Sequence, residues 1–359
     1  MSSPDGGLAG GGYSRADRLL HRLAMNPAVL DLSFDLERAR YGAAARARDG
    51  GVPLFVTGLA RAGTTVLLRL LHDSGQFASL TYRDMPFPLA PNSWQKMSKR
   101  SRHDLAARER GHGDGIVHDL DSPEAIEEVF WRTTEGKRYI TRSHVHPHDP
   151  LPDTVDAFRD LVALVRHRYD RPRYLSKNNA NVLRLGGIVA AFPDAVLIHP
   201  FRDPLQQAAS LLHQHRRAVD LGRADRFRAS YMRWLGHYEF GRSHRPPLIP
   251  GAPAASEPTD RIDYWLAIWS AVHRLLLDQP AAVRARQLFV DYDGLCAAPA
   301  IGVARIAAAT GAVLGTGDGL RPPPAHAVDG ASGDVLADAQ MVHAQLVARA
   351  TGQSLTQQN

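Results

Sequence analysis

The chain has 359 residues, 44% of them apolar and 22% charged, with 30 Gly and 24 Pro, which excludes both a disordered and a collagen-like chain. A single cysteine, Cys296, excludes an intramolecular disulfide and a Cys-rich zinc module. Forty-three Lys and Arg against 37 Asp and Glu leave +6, a modest, scattered excess that suits a small anionic ligand and not nucleic acid.

Length allows two domains or one large α/β domain with insertions. No run of about 18 apolar residues is present, so no membrane-spanning helix is expected. Residues 1–12 read as a Gly-rich tail with neither the basic start nor the apolar run of a secretion leader, and the expected location is the cytoplasm. Residues 15–48 read as one or two helices. Pro53–Thr57 is a short apolar strand ending at Gly58. Thr64–His72, with Val66, Leu67, Leu68, Leu70 and Leu71, is a helix that stops near Gly75. Phe77–Tyr82 reads as a second strand, and 85–118 as an irregular insertion whose Lys96, Lys99, Arg100 and Arg102 form a basic patch, either a solvated face or a contact to an acidic substrate, a membrane surface or the nucleotide.

A helix is predicted from Ser122, with Pro123 at its first position and Glu124, Glu127 and Glu128 favouring the positive end of its dipole. Further helices are predicted at 154–169, 182–192 and from Pro204 to about Arg217. Strands are predicted at 174–176, 195–201 and 287–292. Residues 241–258 carry five prolines and read as a loop. Ile262, Trp265, Trp269, Val272 and Leu276 fall on one face of a long helix, which makes both tryptophans core residues. Two more helices are expected near 299–310 and 334–350. Strands alternating with helices predict an α/β three-layer sandwich: a central parallel sheet of the P-loop nucleoside-triphosphate-hydrolase type, with helical and loop insertions. Ligands of such sheets bind at the carboxyl ends of the strands.

The sharpest motif is Gly58-Leu-Ala-Arg61-Ala62-Gly63-Thr64-Thr65, between a strand and a helix. Glycines allow a close backbone approach. The free N–H groups of the following helix then face an anion, and Thr64 and Thr65 offer hydroxyls. The spacing is that of a phosphate loop, G-x-x-x-x-G-K-[ST], with Thr64 where the Lys belongs. That absence counts against nucleoside triphosphate chemistry, while Arg61 supplies a bidentate-capable cation. About 140 residues on, a strand ends in Arg202-Asp203-Pro204 and Pro204 starts a helix that carries Ser210. Guanidinium and hydroxyl together can hold a dianionic phosphate.

These stretches resemble the sulfotransferase family. Residues 53–65 are similar to its 5′-phosphosulfate loop, P-R-S-G-T-T, with Ala60 and Ala62 in place of Pro and Ser. Residues 192–210 resemble its 3′-phosphate motif. Lys177, in Ser176-Lys-Asn-Asn-Ala-Asn181, matches a family Lys that stabilises charge on the bridge between phosphate and sulfate. Val290–Leu295 resembles a late family strand and reads as mainly structural. The resemblance spans about 52–310, with a divergent middle at 83–172. It implies transfer of a sulfuryl group from 3′-phosphoadenylyl sulfate (PAPS) to a hydroxyl or amine of a small-molecule or lipid acceptor. The implied donor-binding set is Gly58, Arg61, Ala62, Gly63, Thr64, Thr65, Arg202 and Ser210, with Lys177 and Arg61 stabilising charge. The implied domain organisation is an N-terminal tail and helical extension at 1–48, a sulfotransferase domain at 49–315, and a C-terminal loop and helix at 316–359 packed on that domain.

In-line transfer needs positioning and charge stabilisation, and no metal is expected. The alternating histidines of Ser143-His-Val-His-Pro-His148 read as a polar loop at the site mouth. An alcohol acceptor needs a general base. The candidates are Asp84, offset by about two residues from a catalytic Glu of tyrosylprotein sulfotransferases, then His112 with Asp114 in a Gly-rich loop, and third Glu127 and Glu128. The insertion and the Pro-rich loop are expected to line the acceptor pocket. Two rival readings remain: a small-metabolite kinase using ATP and magnesium, and a degenerate nucleotide-binding relative without turnover.

Overall fold

The second N-terminal helix begins where Asn26 and Pro27 meet. Asn26 Oδ1 accepts from Ala28 N at 3.0 Å, and Pro27 takes the first helical position, where its missing N–H costs nothing. The computed structural model describes residues 15–98, 125–328 and 330–353. In it the 15–48 stretch is two helices, α1 (Arg15–Ala24) and α2 (Pro27–Arg46), parted at this cap. Then follow β1 (Leu54–Val56), α3 (Thr64–His72) and β2 (Phe77–Ala78). β2 is shorter than the expected Phe77–Tyr82 because Thr81 and Asp84 form a reciprocal capping box, which turns Tyr82–Asp84 into a 3₁₀ turn.

The 85–118 insertion is not wholly irregular. Pro91–Ser98 form α4, and the buried carboxylate of Glu37 accepts from its Asn92 and Ser93 amides at 2.7 and 3.1 Å. Residues 99–124 lie outside the described residues. The helix expected from Ser122 is α5 (Glu128–Thr134), followed by the short α6 (Gly136–Tyr139) and by α7 (Pro152–Tyr169). β3 (Arg173–Lys177) leads through a 3₁₀ turn at Asn179–Leu183 to α8 (Leu185–Ala191) and β4 (Val196–Phe201). α9 (Pro204–Ala224) runs past the expected Arg217 and is followed by α10 (Arg226–Trp234). The chain closes with α11 (Ile262–Leu277), α12 (Ala281–Arg284), β5 (Gln287–Asp291), α13 (Tyr292–Ala297), α14 (Pro299–Thr310) and α15 (Gly333–Gly352).

The five strands form one parallel sheet in the order β2-β3-β1-β4-β5. Val56 of the central strand pairs with Lys177 on one side and Ile198 on the other. The pleat sends alternate residues to two separate cores. Phe55, Tyr174, Leu197 and Phe289 join one core with Phe158, Trp265, Trp269 and Leu346 from α7, α11 and α15. Leu54, Val56, Leu175, Ile198 and Leu288 join the other with Leu67, Leu71, Leu295 and Ile306 from α3, α13 and α14. The architecture is therefore an α/β three-layer sandwich. Trp265 and Trp269 are core, 1% and 0% exposed. No helix among the described residues is long and apolar enough to cross a membrane.

The first and last described regions, α2 and the end of α15, are fastened to this body. Asp160 of α7, nearly buried, accepts from Arg38 Nε at 2.8 Å and Arg46 Nη1 at 2.7 Å, which fastens α2. Gln353, just past α15, donates to Gln287 O at 2.9 Å and accepts from Phe289 N at 3.1 Å, which fastens the C-terminal helix to β5.

Candidate functional site

In this strand order the winding reverses at β1, so the loops after β1, β3 and β4 leave the same edge of the sheet and enclose a crevice. The loop after β1 is the Gly58–Thr65 motif. Two of its residues have left-handed backbones: Arg61 at φ 67 and Gly63 at φ 83. That region is costly for a residue with a Cβ, so the Arg61 conformation is held by its surroundings. At Gly63 a Cβ would lie 2.3 Å from the Tyr292 ring, so the residue must be glycine for packing as well as for φ. The loop hands over to α3, whose first N–H groups have no intrahelical partner and whose first residues, Thr64 and Thr65, line a cavity at this edge.

The second motif meets the first. Arg61 Nε donates to Ser210 Oγ at 3.1 Å, and Arg202 Nη1 donates to Arg61 O at 3.3 Å. Pro204 and the Asp203 cap, whose Oδ1 accepts from Gln206 N at 2.9 Å, start α9 so that Ser210 faces the loop. Ser210 and Arg202 are each 4% exposed. Two residues that sequence reasoning left out hold this junction. Gln207, fully buried, donates to Ala60 O at 2.9 Å and accepts from Arg202 N at 3.2 Å and Trp269 Nε1 at 2.9 Å. Asp293 accepts from Arg202 Nε at 3.2 Å and Asp203 N at 2.8 Å. The signal for Gln207 was an amide between Ala208, Leu211 and Leu212 on the apolar face of a helix. Asp293 lay in the 290–295 stretch read as structural.

Two cavities open at this edge. The first, about 190 Å³, is lined by Arg61, Thr64, Thr65 and Lys177, together with His237 and Glu239. Lys177 arrives there because it is the last residue of β3, in register with Val56. The second, about 90 Å³, runs behind Gly58 and Ala60 between α9, α11 and the 236–247 segment. Asn179, Glu239, Phe240 and Ala60 line both, so the cavities adjoin. His244, Arg245 and Pro247 of the Pro-rich loop line the second cavity, and Gly241, Arg242 and Ser243 the first. Ala62 is buried beneath the loop. A sequence-distant segment also reaches the arginines: His326 exchanges hydrogen bonds with Gln206, and burial, then His213, Arg202 and Arg61 lower its pKa.

The base candidates fare differently. Asp84 lines neither cavity. It is fully buried, accepts from Thr81 N at 2.9 Å and Tyr169 OH at 2.6 Å, and lies 3.6 Å from Arg168 Nε, so its role is to hold the turn after β2. His112 and Asp114 lie outside the described residues. Glu127 and Glu128 are not solvated acids at a helix start, but almost fully buried. Glu127 accepts from Tyr174 OH at 2.9 Å, Asn181 Nδ2 at 2.8 Å and Trp131 Nε1 at 3.2 Å. Glu128 accepts from both Arg184 terminal nitrogens at 2.7 and 2.9 Å, from Asn178 at 2.7 Å and from Tyr139 OH. Burial alone would raise its pKa, but the Arg184 guanidinium and these bonds outweigh burial and hold the carboxyl below its ordinary range. A carboxylate so stabilised is a weak base.

The histidine loop packs: His148 stacks on Tyr139 at 4.6 Å between ring centres, and burial, then Arg184, lower its pKa to about 4. Among the described residues no three His, Cys, Asp or Glu side chains converge as metal ligands would.

A sequence model of the sulfotransferase family matches residues 53–252, which contain the phosphate loop, Lys177 and the Arg202–Ser210 motif. No curated protein matches the chain. Among solved structures, a sulfotransferase from Mycobacterium tuberculosis H37Rv is 16% identical with a TM-score of 0.46, covering 95% of this chain and 88% of its own. One from Mycobacterium avium is 17% identical with a TM-score of 0.45, covering 90% and 75%. One from Alicyclobacillus acidocaldarius is 15% identical with a TM-score of 0.37, covering 84% and 94%.

Proposed function

Since this chain belongs to the sulfotransferase family, we propose that it moves a sulfuryl group from PAPS to a hydroxyl or amine acceptor by in-line displacement. The observation that carries the reading is that Arg61 and Lys177 line one cavity while Arg61 also meets the second motif, donating to Ser210 at 3.1 Å and accepting from Arg202 at its carbonyl at 3.3 Å. The donor set suits a ligand with two separate phosphate groups: amides, Thr64, Thr65 and Arg61 at one, Arg202 and Ser210 at the other. PAPS supplies the activated sulfuryl group. Arg61 and the loop amides orient it, and Lys177 stabilises charge on the phosphate oxygen left behind. Gln207 and Asp293 keep the two arginines where those roles need them. Residues 49–315 form the catalytic unit in this reading, with 1–48 and 316–359 as extensions.

The test is metal-free turnover. With EDTA and a mixed acceptor panel, wild type is expected to release adenosine 3′,5′-bisphosphate from PAPS. Lys177→Ala is expected to lower kcat by about 10²-fold, the order seen when one charge-stabilising group is lost, with donor affinity much less changed. Phosphorylated product from ATP and magnesium, with PAPS untouched, would replace this reading with the kinase. Bisphosphate binding without turnover on any acceptor would leave a nucleotide-binding relative.

A further inference from the structure

The second cavity and its junction with the first identify an acceptor chemistry. Most of its wall is aliphatic or aromatic: Val182, Leu211, Phe240, Trp265, Ile268 and Val272 all contribute. Its polar groups are largely committed elsewhere. Glu128 is taken by Arg184 and Tyr139, and His244 bonds Tyr264 OH at 2.8 Å and Glu239 O at 2.7 Å. The Arg245 guanidinium lies over the Tyr238 ring at 4.2 Å. A sugar or an anion in such a cavity would lose water contacts without replacement, whereas an apolar group would gain by burial.

Glu239 and Asn179 line both cavities, and Asn179 Nδ2 lies 3.4 Å from Glu239 Oε1. His237 Nδ1 is 3.7 Å from Glu239 Oε2. Glu239 is thus a carboxylate, one-third exposed, facing the cavity that Lys177 lines.

Resting on the sulfuryl-transfer reading, we propose that the second cavity binds the apolar body of a small alcohol or phenol and that Glu239 takes the proton from its hydroxyl. The body sits against Trp265 and Ile268, and the hydroxyl emerges between Glu239 and Asn179 toward Lys177. The acceptor oxygen bonds to sulfur as the sulfur–oxygen bond to the 5′-phosphate breaks. The bonding pair leaves on the bisphosphate beside Lys177, and the acceptor proton ends on Glu239. The volume, about 90 Å³ against the roughly 150 Å³ of an engineered cavity that admits benzene, limits the buried part to a short chain or to part of a ring whose remainder lies in the adjoining cavity.

The probes are phenol and 1-hexanol, with glucose and glucosamine as polar controls, each titrated calorimetrically into wild-type protein saturated with adenosine 3′,5′-bisphosphate and each offered with PAPS. Phenol and hexanol are expected to bind and be sulfated, and the sugars to do neither. Ala180→Leu, which fills the cavity from a partly exposed position, is expected to weaken phenol binding about tenfold, the loss of roughly two buried methylenes, and leave bisphosphate affinity unchanged. Glu239→Gln is expected to lower kcat by about 10²-fold or more, with phenol and bisphosphate affinities within about twofold of wild type. Sulfation of the sugars but not the apolar probes, unaltered phenol binding in Ala180→Leu, or full kcat in Glu239→Gln would overturn the proposal. Failure to bind bisphosphate at all would instead strike the reading on which it rests.

Discussion

Gly63 shows how one residue ties backbone conformation to ligand geometry. Its φ of 83 belongs to glycine, and the Tyr292 ring fills the space that a Cβ would need. Gly63→Ala is expected to cost about 2 kcal/mol or more, from the left-handed penalty plus the displaced ring, and to lower bisphosphate affinity because the loop shifts. Chemical denaturation and calorimetry of the same variant check both halves. The buried histidines give a second prediction. His199 donates from Nδ1 to Thr57 O at 2.8 Å, and burial lowers its pKa to about 4. Burial likewise lowers His244 to about 4 and His273 to about 3. These rings are neutral in the folded chain and ordinary, near 6.5, when unfolded. Their stabilisation is therefore complete above about pH 6.5 and is lost as pH falls toward 4, at up to about 3 kcal/mol for fully buried His199. Melting temperature is expected to fall steeply across that window, and less steeply in His199→Gln. A pH-independent melting temperature there would contradict the assignment.

Elements show where sequence patterns were sufficient and where they failed. Leu54-Phe55-Val56 and Val196–Phe201 were legible because central parallel strands are continuous apolar runs bounded by turns. The α11 face was legible from its helical spacing. β2 was overread because Thr81 and Asp84 satisfy each other's caps, a local bond pattern that apolar content does not reveal. Glu127 and Glu128 read as helix-start acids because their partners, Tyr174, Asn181 and Arg184, lie some fifty residues away. The same limit hid the clamp between α2 and α7. Asp160→Asn there is expected to destabilise by about 1 kcal/mol, since both arginine partners are partly exposed, and to speed amide exchange in α2 while α11 is unchanged. Equal exchange in α2 of variant and wild type would show that apolar packing alone holds the helix.

For the whole molecule, the winding reversal at β1 determines where chemistry can occur. The loops after β1, β3 and β4, the first over a hundred residues before the other two, reach one crevice because their strands are neighbours in the sheet. Arg61, Lys177, Arg202 and Ser210 stood out in the sequence because each lies in a motif at or just after a strand end, or in the helix that follows, and the fold brings Arg61 to Ser210 and Arg202. Glu239 was not legible: it follows α10, an element that the sequence pattern did not predict, and only folding brings it beside Lys177. Gln207 and Asp293 were hidden for the same reason, since their work is to hold residues of distant segments.

The central claim is that Arg202 and the Gly58–Thr65 loop form one site for a nucleotide with phosphates at both 3′ and 5′ positions. Calorimetric titration with adenosine 3′,5′-bisphosphate in EDTA, beside ATP with magnesium, tests it most directly, with Arg202→Ala as the control. The account predicts bisphosphate binding without metal that weakens by about 10²-fold or more in Arg202→Ala, the loss of a buried charge-assisted contact. Binding of ATP with magnesium alone, or bisphosphate affinity equal in variant and wild type, would contradict it.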